Sequence, residues 1–148
     1  MNWDTTDYVI ATALFASCAL VTWLITRNAR SHWHILAGTL AALGALVLVW
    51  MQLAVGLIGS GEHPINQAMT LVLAAGAIGS ALSRFRASGM RTTMLAVAGT
   101  QMTLGALGFI LATPDLFSDV FLVTTFFAGI WTGSALLFHL AYRREQRA

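Results

Sequence analysis

Long apolar runs separated by short polar segments dominate this 148-residue chain. Five of the runs have about the 17–25 residues that a helix needs to cross a hydrocarbon core of about 30 Å. They lack the alternating pattern of barrel strands, and a backbone in lipid must satisfy its own hydrogen bonds, so helices are predicted. The predicted spans cover residues 8–26, 35–59, 67–83, 92–113 and 120–142. The sequence therefore predicts an all-α integral membrane bundle of five transmembrane helices, forming one domain over residues 1–148.

The charged residues indicate how the chain is threaded. All eight basic residues are arginines, and they lie between the first and second runs, between the third and fourth, and after the fifth. Five of the six acidic residues lie in the other polar segments. Loops that stay in the cytoplasm carry an excess of Lys and Arg, whereas translocated loops do not. We therefore predict that the N-terminus is outside and the C-terminus is cytoplasmic.

Composition agrees with a membrane location and argues against other classes of protein. Hydrophobic residues make up 57% of the chain and charged residues 9%, against about 25% charged residues in soluble domains. The net charge of +2 is explained by the threading and leaves no basic stripe for nucleic acid. The single cysteine, Cys18, excludes an internal disulfide. The acidic start of the chain is unlike a signal peptide, so we expect the first run to be a retained span.

Small residues predict where the helices pack. Lipid tails are as apolar as leucine, so helix association in a membrane depends on close backbone approach and interhelical hydrogen bonds. Gly129 and Gly133 form a G-x-x-x-G pair in the fifth run. Gly76, Gly79 and Ser80 make the third run small on most of its faces. We predict that these residues form helix contacts and that the third span lies at the centre of the bundle.

Uncharged polar residues in and beside the spans suggest a second kind of site. No charged residue lies inside a predicted span, which argues against a proton-coupled transporter or a voltage sensor. The remaining polar side chains could form interhelical hydrogen bonds or line a vestibule open to the outside. The candidate vestibule residues are Gln52, Glu62, His63, Asn66, Thr70, Gln101 and Thr125.

The chain carries no recognisable catalytic motif. It has no HExxH sequence, no phosphate-binding loop and no nucleophile with an adjacent base. We therefore predict a non-enzymatic protein with no metal site and no cofactor. One alternative stays open, because His34 and His139 fall at matched depth on different spans, and two such histidines can ligate a haem axially.

Two segments resemble a group of small bacterial polytopic membrane proteins that has no assigned activity. Residues 54–66, AVGLIGSGEHPIN, are similar to the group's G-x-I-G-S…N-P-x-N turn. Residues 78–91, IGSALSRFRASGMR, are similar to its A-R-F-x-x-x-G-M loop. The likeness covers about residues 50–110 and departs from the group's acidic turn at residues 61–63. The resemblance implies a protein of the bacterial inner membrane.

These features together predict a non-enzymatic membrane protein that acts through helix–helix contacts, as an accessory subunit or a small oligomer. Its partners are then the lipid bilayer and either another membrane protein or further copies of itself, with no nucleic acid. The alternative is a channel or transporter for an ion or small molecule with an outward-facing polar vestibule. A haem-binding membrane protein ranks third.

Overall fold

The computed structural model describes residues 4–27, 29–54 and 64–147, and most of these residues are helical. No strand occurs within these ranges, which confirms the predicted all-α class. The helices are α1 (Thr5–Thr26), α2 (His32–Ala54), α3 (Pro64–Ala68), α4 (Thr70–Leu82), α5 (Ala87–Leu111) and α6 (Phe117–Glu145), with a 3₁₀ turn at Pro114–Leu116.

Four helices are long and apolar enough to cross a membrane, judged by their length and composition: α1, α2, α5 and α6. The apolar stretch Asn66–Leu82, which includes α4, is shorter. This arrangement is that of a multi-pass membrane bundle. The predicted second span reaches residue 59, and its last part falls in residues 55–63, outside the described residues.

Helix α1 begins at a capping box and lies on one flank of the bundle. The Asp4 carboxylate accepts a hydrogen bond from the Asp7 N–H, and the Asp7 carboxylate accepts one from the Asp4 N–H, each at 3.0 Å. These bonds satisfy backbone donors that have no partner inside the helix. Only Ile25 of this helix is buried. The rest of α1 therefore presents an apolar surface of the kind that lipid covers.

Helix α6 lies at the centre of the bundle. It packs along α5 on one side and α2 on the other, while α1 packs on α2 and α4 packs on α5. Its side chains Phe127, Trp131 and Phe138 are almost completely buried and form much of the core. The order of packing is thus α1, α2, α6, α5 and α4, with the first and fourth helices at the two ends.

The prediction that the third span is central is wrong. Helix α4 packs chiefly against α5, and Leu71, Ile78 and Leu82 on its other side are 58%, 61% and 80% exposed. The small residues of α4 allow a close approach on the face towards α5, where Val72 is buried. Its bulky residues recur at helical spacing and form an outward face suited to lipid.

Candidate functional site

Three of the predicted vestibule residues come together at the end of α2. The Gln52 amide nitrogen donates to the main-chain oxygen of Asn66, and the same nitrogen lies 3.4 Å from the Thr70 hydroxyl. Asn66 is buried, at 3% exposure. The contacts join the end of α2 to α3 and the start of α4. They therefore act as interhelical hydrogen bonds, which is one of the two interpretations that the sequence leaves open.

Gln101 of α5 lies next to this cluster and is fully buried. Its amide nitrogen lies 3.4 Å from the sulfur of Met69, which directly precedes Thr70 in the chain. Its amide oxygen has no hydrogen-bond partner among the described residues. A buried acceptor without a partner is unfavourable, because it has lost its bonds to water. Hydrogen bonds among the described residues therefore do not explain why Gln101 is buried.

The other predicted vestibule residues are not brought to this cluster. Thr125 lies on the exposed face of α6, whereas its neighbour Thr124 faces inward at 6% exposure. The Thr124 hydroxyl has no hydrogen-bond partner within the described ranges. Glu62 and His63 fall outside the described residues.

The predicted packing residues divide into close contacts and open positions. A Cβ atom placed on Gly79 would lie 2.5 Å from the Thr93 methyl group, so α4 and α5 approach closely there. Gly76 and Gly133 have more room, with their nearest neighbours at 3.6 Å from such an atom, and Ser80 is 9% exposed. Gly129 has no neighbouring atom within 4 Å of the position that its Cβ atom would take.

Three close glycine contacts between the long helices were not predicted from the sequence. Gly38 meets Ile25 at the contact of α1 with α2, Gly44 meets Ile130 of α6, and Gly105 meets Thr124 at the contact of α5 with α6. In each case a Cβ atom would come within 2.6 Å of the neighbouring side chain. Gly38 precedes Ala42 by four residues, so the small-xxx-small spacing could have identified it.

The arginines gather at one end of the bundle, where α1, α4 and α6 end and α2 and α5 begin. A cavity of about 1160 Å³ opens at this end. Four arginines line it, namely Arg27, Arg30, Arg84 and Arg86. Among the described residues, none of these four guanidinium groups forms an ion pair or hydrogen bond, although Arg27 lies over the Trp23 ring at 5.5 Å. With one carboxylate, that of Glu145, in the same lining, this arginine cavity carries a net positive charge.

The two histidines considered for haem have separate partners near this end. The His34 Nε2 atom lies 3.1 Å from the Ile25 carbonyl oxygen and therefore carries the proton, while its Nδ1 lies 3.7 Å from a Glu145 oxygen. The His139 Nδ1 atom lies 3.1 Å from an Arg91 nitrogen. A guanidinium group can only donate, so this Nδ1 accepts and carries no proton.

Comparison with known proteins gives no family for this chain: no protein-family model, no curated protein and no solved structure matches it. Over the described ranges, no group of three or more His, Cys, Asp or Glu side chains is placed to hold a metal ion. The class that the fold defines is a multi-pass helical membrane protein.

Proposed function

We propose that this chain is a non-enzymatic protein of the bacterial inner membrane that acts through contacts between helices, as an accessory subunit or a small oligomer. In this proposal Asn66–Leu82 supplies a fifth crossing, and the arginine end faces the cytoplasm because cytoplasmic loops retain basic residues. The N-terminus is then outside and the C-terminus inside. An impermeant thiol reagent applied to intact cells should label Glu62→Cys and not Ser88→Cys, in a Cys18→Ala background.

The open surface at Gly129 supports this proposal most directly. Gly129 is exposed on α6, no atom lies within 4 Å of where its Cβ would be, and Gly133 follows one turn later. A pair of glycines at this spacing lets a second helix backbone approach closely, which is how many membrane helices associate. Because α6 is the central helix, a partner docked there would contact a helix that packs on both α2 and α5.

The matched control for this surface is Gly99. It lies in the middle of α5, is also exposed, and likewise has no atom within 4 Å of its Cβ position. No glycine lies four residues before or after it. Leucine at either position gains the same intrinsic helix propensity, so only a specific contact distinguishes the two variants.

The experiment measures the mass of the full chain after mild solubilisation, by light scattering and by co-purification. The wild type and Gly99→Leu should run as an oligomer or with a stable partner chain, and Gly129→Leu should lose that association while keeping its helical circular dichroism. A wild-type protein that is monomeric and free of partners, or an association that survives Gly129→Leu, would contradict the proposal.

The alternative is a channel or transporter with an outward-facing vestibule. The observation in its favour is the buried Gln101 amide oxygen without a partner, close to the cluster at the end of α2. Flux through liposomes that contain the pure protein would support it, and Gln101→Ala should then reduce that flux. An absorption spectrum of the purified protein tests the haem hypothesis, because bound haem gives a Soret band.

A further inference from the structure

An apolar groove adjoins the arginine cavity and enters the bundle between its two flanking helices. The groove has a volume of about 460 Å³ and is lined by residues of α1, α2, α4, α5 and α6. This volume lies in the range of ligand pockets, about 300–1,000 Å³. Its walls include Ala41 and Ala45 of α2, Val72 and Gly76 of α4, and Trp131 of α6.

The groove runs along the helices away from the arginine end. On α4 its lining extends from Ser80, near the arginines, to Val72, a distance of about 12 Å at 1.5 Å per residue. Unfilled apolar volume destabilises a protein in proportion to its size. In a bilayer, the apolar group available to fill such a groove is the acyl chain of a lipid.

Phe85 joins the two spaces, because it lines both the arginine cavity and the apolar groove. It follows α4 in a Schellman turn, in which the Phe85 N–H donates to the Ser80 carbonyl and the Arg84 N–H to the Ala81 carbonyl. Arg84 and Phe85 have φ values of 49° and 57°, a left-handed conformation that is costly for residues with a Cβ atom. The turn places Phe85 at the junction of the cavity and the groove.

We infer that these two adjoining spaces form a binding site for an anionic phospholipid. The phosphate lies among the four arginines of the arginine cavity, and one acyl chain passes Phe85 into the apolar groove. The cavity lining carries four arginines against one carboxylate, that of Glu145. Basic pockets between membrane helices favour anionic lipid headgroups for this reason, so the site should prefer an anionic lipid to a zwitterionic one with the same acyl chains.

Trp131 provides a reporter, because its indole lies on the groove while only 3% of the residue is exposed. Bromine atoms on an acyl chain quench tryptophan fluorescence on contact. The full chain with Trp131 as its single tryptophan is reconstituted in phosphatidylcholine vesicles. Either brominated phosphatidylglycerol or brominated phosphatidylcholine is added over the same range of mole fractions. A second single-tryptophan protein retains Trp50, which lies near the far end of α2 and does not line the groove.

Brominated phosphatidylglycerol should quench Trp131 at a mole fraction several-fold lower than brominated phosphatidylcholine does, whereas Trp50 should respond equally to both. The double variant Arg84→Gln/Arg86→Gln should reduce the preference by about 25-fold, since each arginine near an anionic lipid surface contributes roughly fivefold. The matched control is Arg143→Gln/Arg147→Gln, which removes the same charge from the same end at residues that do not line the arginine cavity.

The groove has its own test in Gly76→Leu. A Cβ atom at Gly76 is accommodated at 3.6 Å from Val97, so the larger side chain can enter the groove and should protect Trp131 from both brominated lipids. Equal quenching of wild-type Trp131 by the two lipids would overturn the inference, and it is the result expected if the arginines bind only free phosphate. Unchanged quenching in Gly76→Leu would show that no acyl chain occupies the groove.

Discussion

A single methyl group at Gly105 tests whether the central contact of the bundle is as close as the structure shows. A Cβ atom at this position would lie 2.3 Å from Oγ1, 2.4 Å from Cγ2 and 2.9 Å from Cβ of Thr124. Rotation of the Thr124 side chain moves the first two atoms but not the third. Because the Cβ of Thr124 is fixed to its backbone, Gly105→Ala requires α5 and α6 to separate by a few tenths of an ångström.

The magnitude follows from a comparison with Gly99→Ala on the same helix. Overpacking a close contact destabilises by about 1–3 kcal/mol, while alanine is favoured over glycine in a helix by about 1 kcal/mol. Gly99 has nothing within 4 Å of its Cβ position and gains only the second effect. The propensity gain cancels in the comparison. The free energy of unfolding of Gly105→Ala should therefore be lower than that of Gly99→Ala by about 1–3 kcal/mol.

The assay is reversible unfolding in mixed detergent micelles, followed by far-ultraviolet circular dichroism. A third variant, Thr124→Gly combined with Gly105→Ala, removes all three atoms, so Gly105→Ala should lose at most half as much stability in this background as in the wild type. That difference would appear as a coupling energy of about 0.5–3 kcal/mol in a double-mutant cycle. Equal stabilities of Gly105→Ala and Gly99→Ala would refute the close packing of α5 on α6.

Two further variants test polar groups inside the bundle. Ser134→Ala should lower the free energy of unfolding by about 0.5–1.5 kcal/mol, because the buried Ser134 hydroxyl donates to the Ala37 carbonyl at 2.9 Å. Ser17→Ala is the control, since among the described residues the Ser17 hydroxyl bonds only within its own helix. Equal effects of the two substitutions would contradict this reasoning. Gln101→Leu should leave the free energy of unfolding unchanged or raise it, because the Gln101 amide oxygen has no partner among the described residues. A large loss of stability in the same unfolding assay would show that this oxygen is bonded.

The sequence could predict the helices but not their neighbours. Runs of apolar residues determine where the chain can cross a bilayer, and the observed helices follow them closely. Which helices pack together depends on which face of each helix carries its small residues, and the number of glycines in a run does not indicate that face. The position of α4 is the example: Gly79 faces α5, yet Ile78, its neighbour in the chain, is 61% exposed.

The candidate sites were predictable only in part, for a related reason. Gln52, Asn66 and Thr70 follow from their place at the same end of runs that are successive in the sequence, and the structure joins them. Thr124 and Thr125 are adjacent in the sequence, but only Thr124 faces inward. Successive residues of a helix are rotated by about 100° about its axis. One of two adjacent residues can therefore face the core while the other faces lipid. An apolar helix in lipid carries little amphipathic signal to define that rotation.

Lipid exposure also changes which surface features indicate function. In water, the exposed side chains of α1 would suggest an interface, but in a bilayer they need no partner other than lipid. Three features are candidates for a functional contact: the open position at Gly129, one turn before Gly133; the unbonded amide oxygen of Gln101; and the arginines that line the cavity beside Phe85. Acyl chains cannot hydrogen-bond the buried amide of Gln101, and the four arginines of the cavity are exposed and can hold an anionic partner. The function of the protein should therefore be sought first at these three positions.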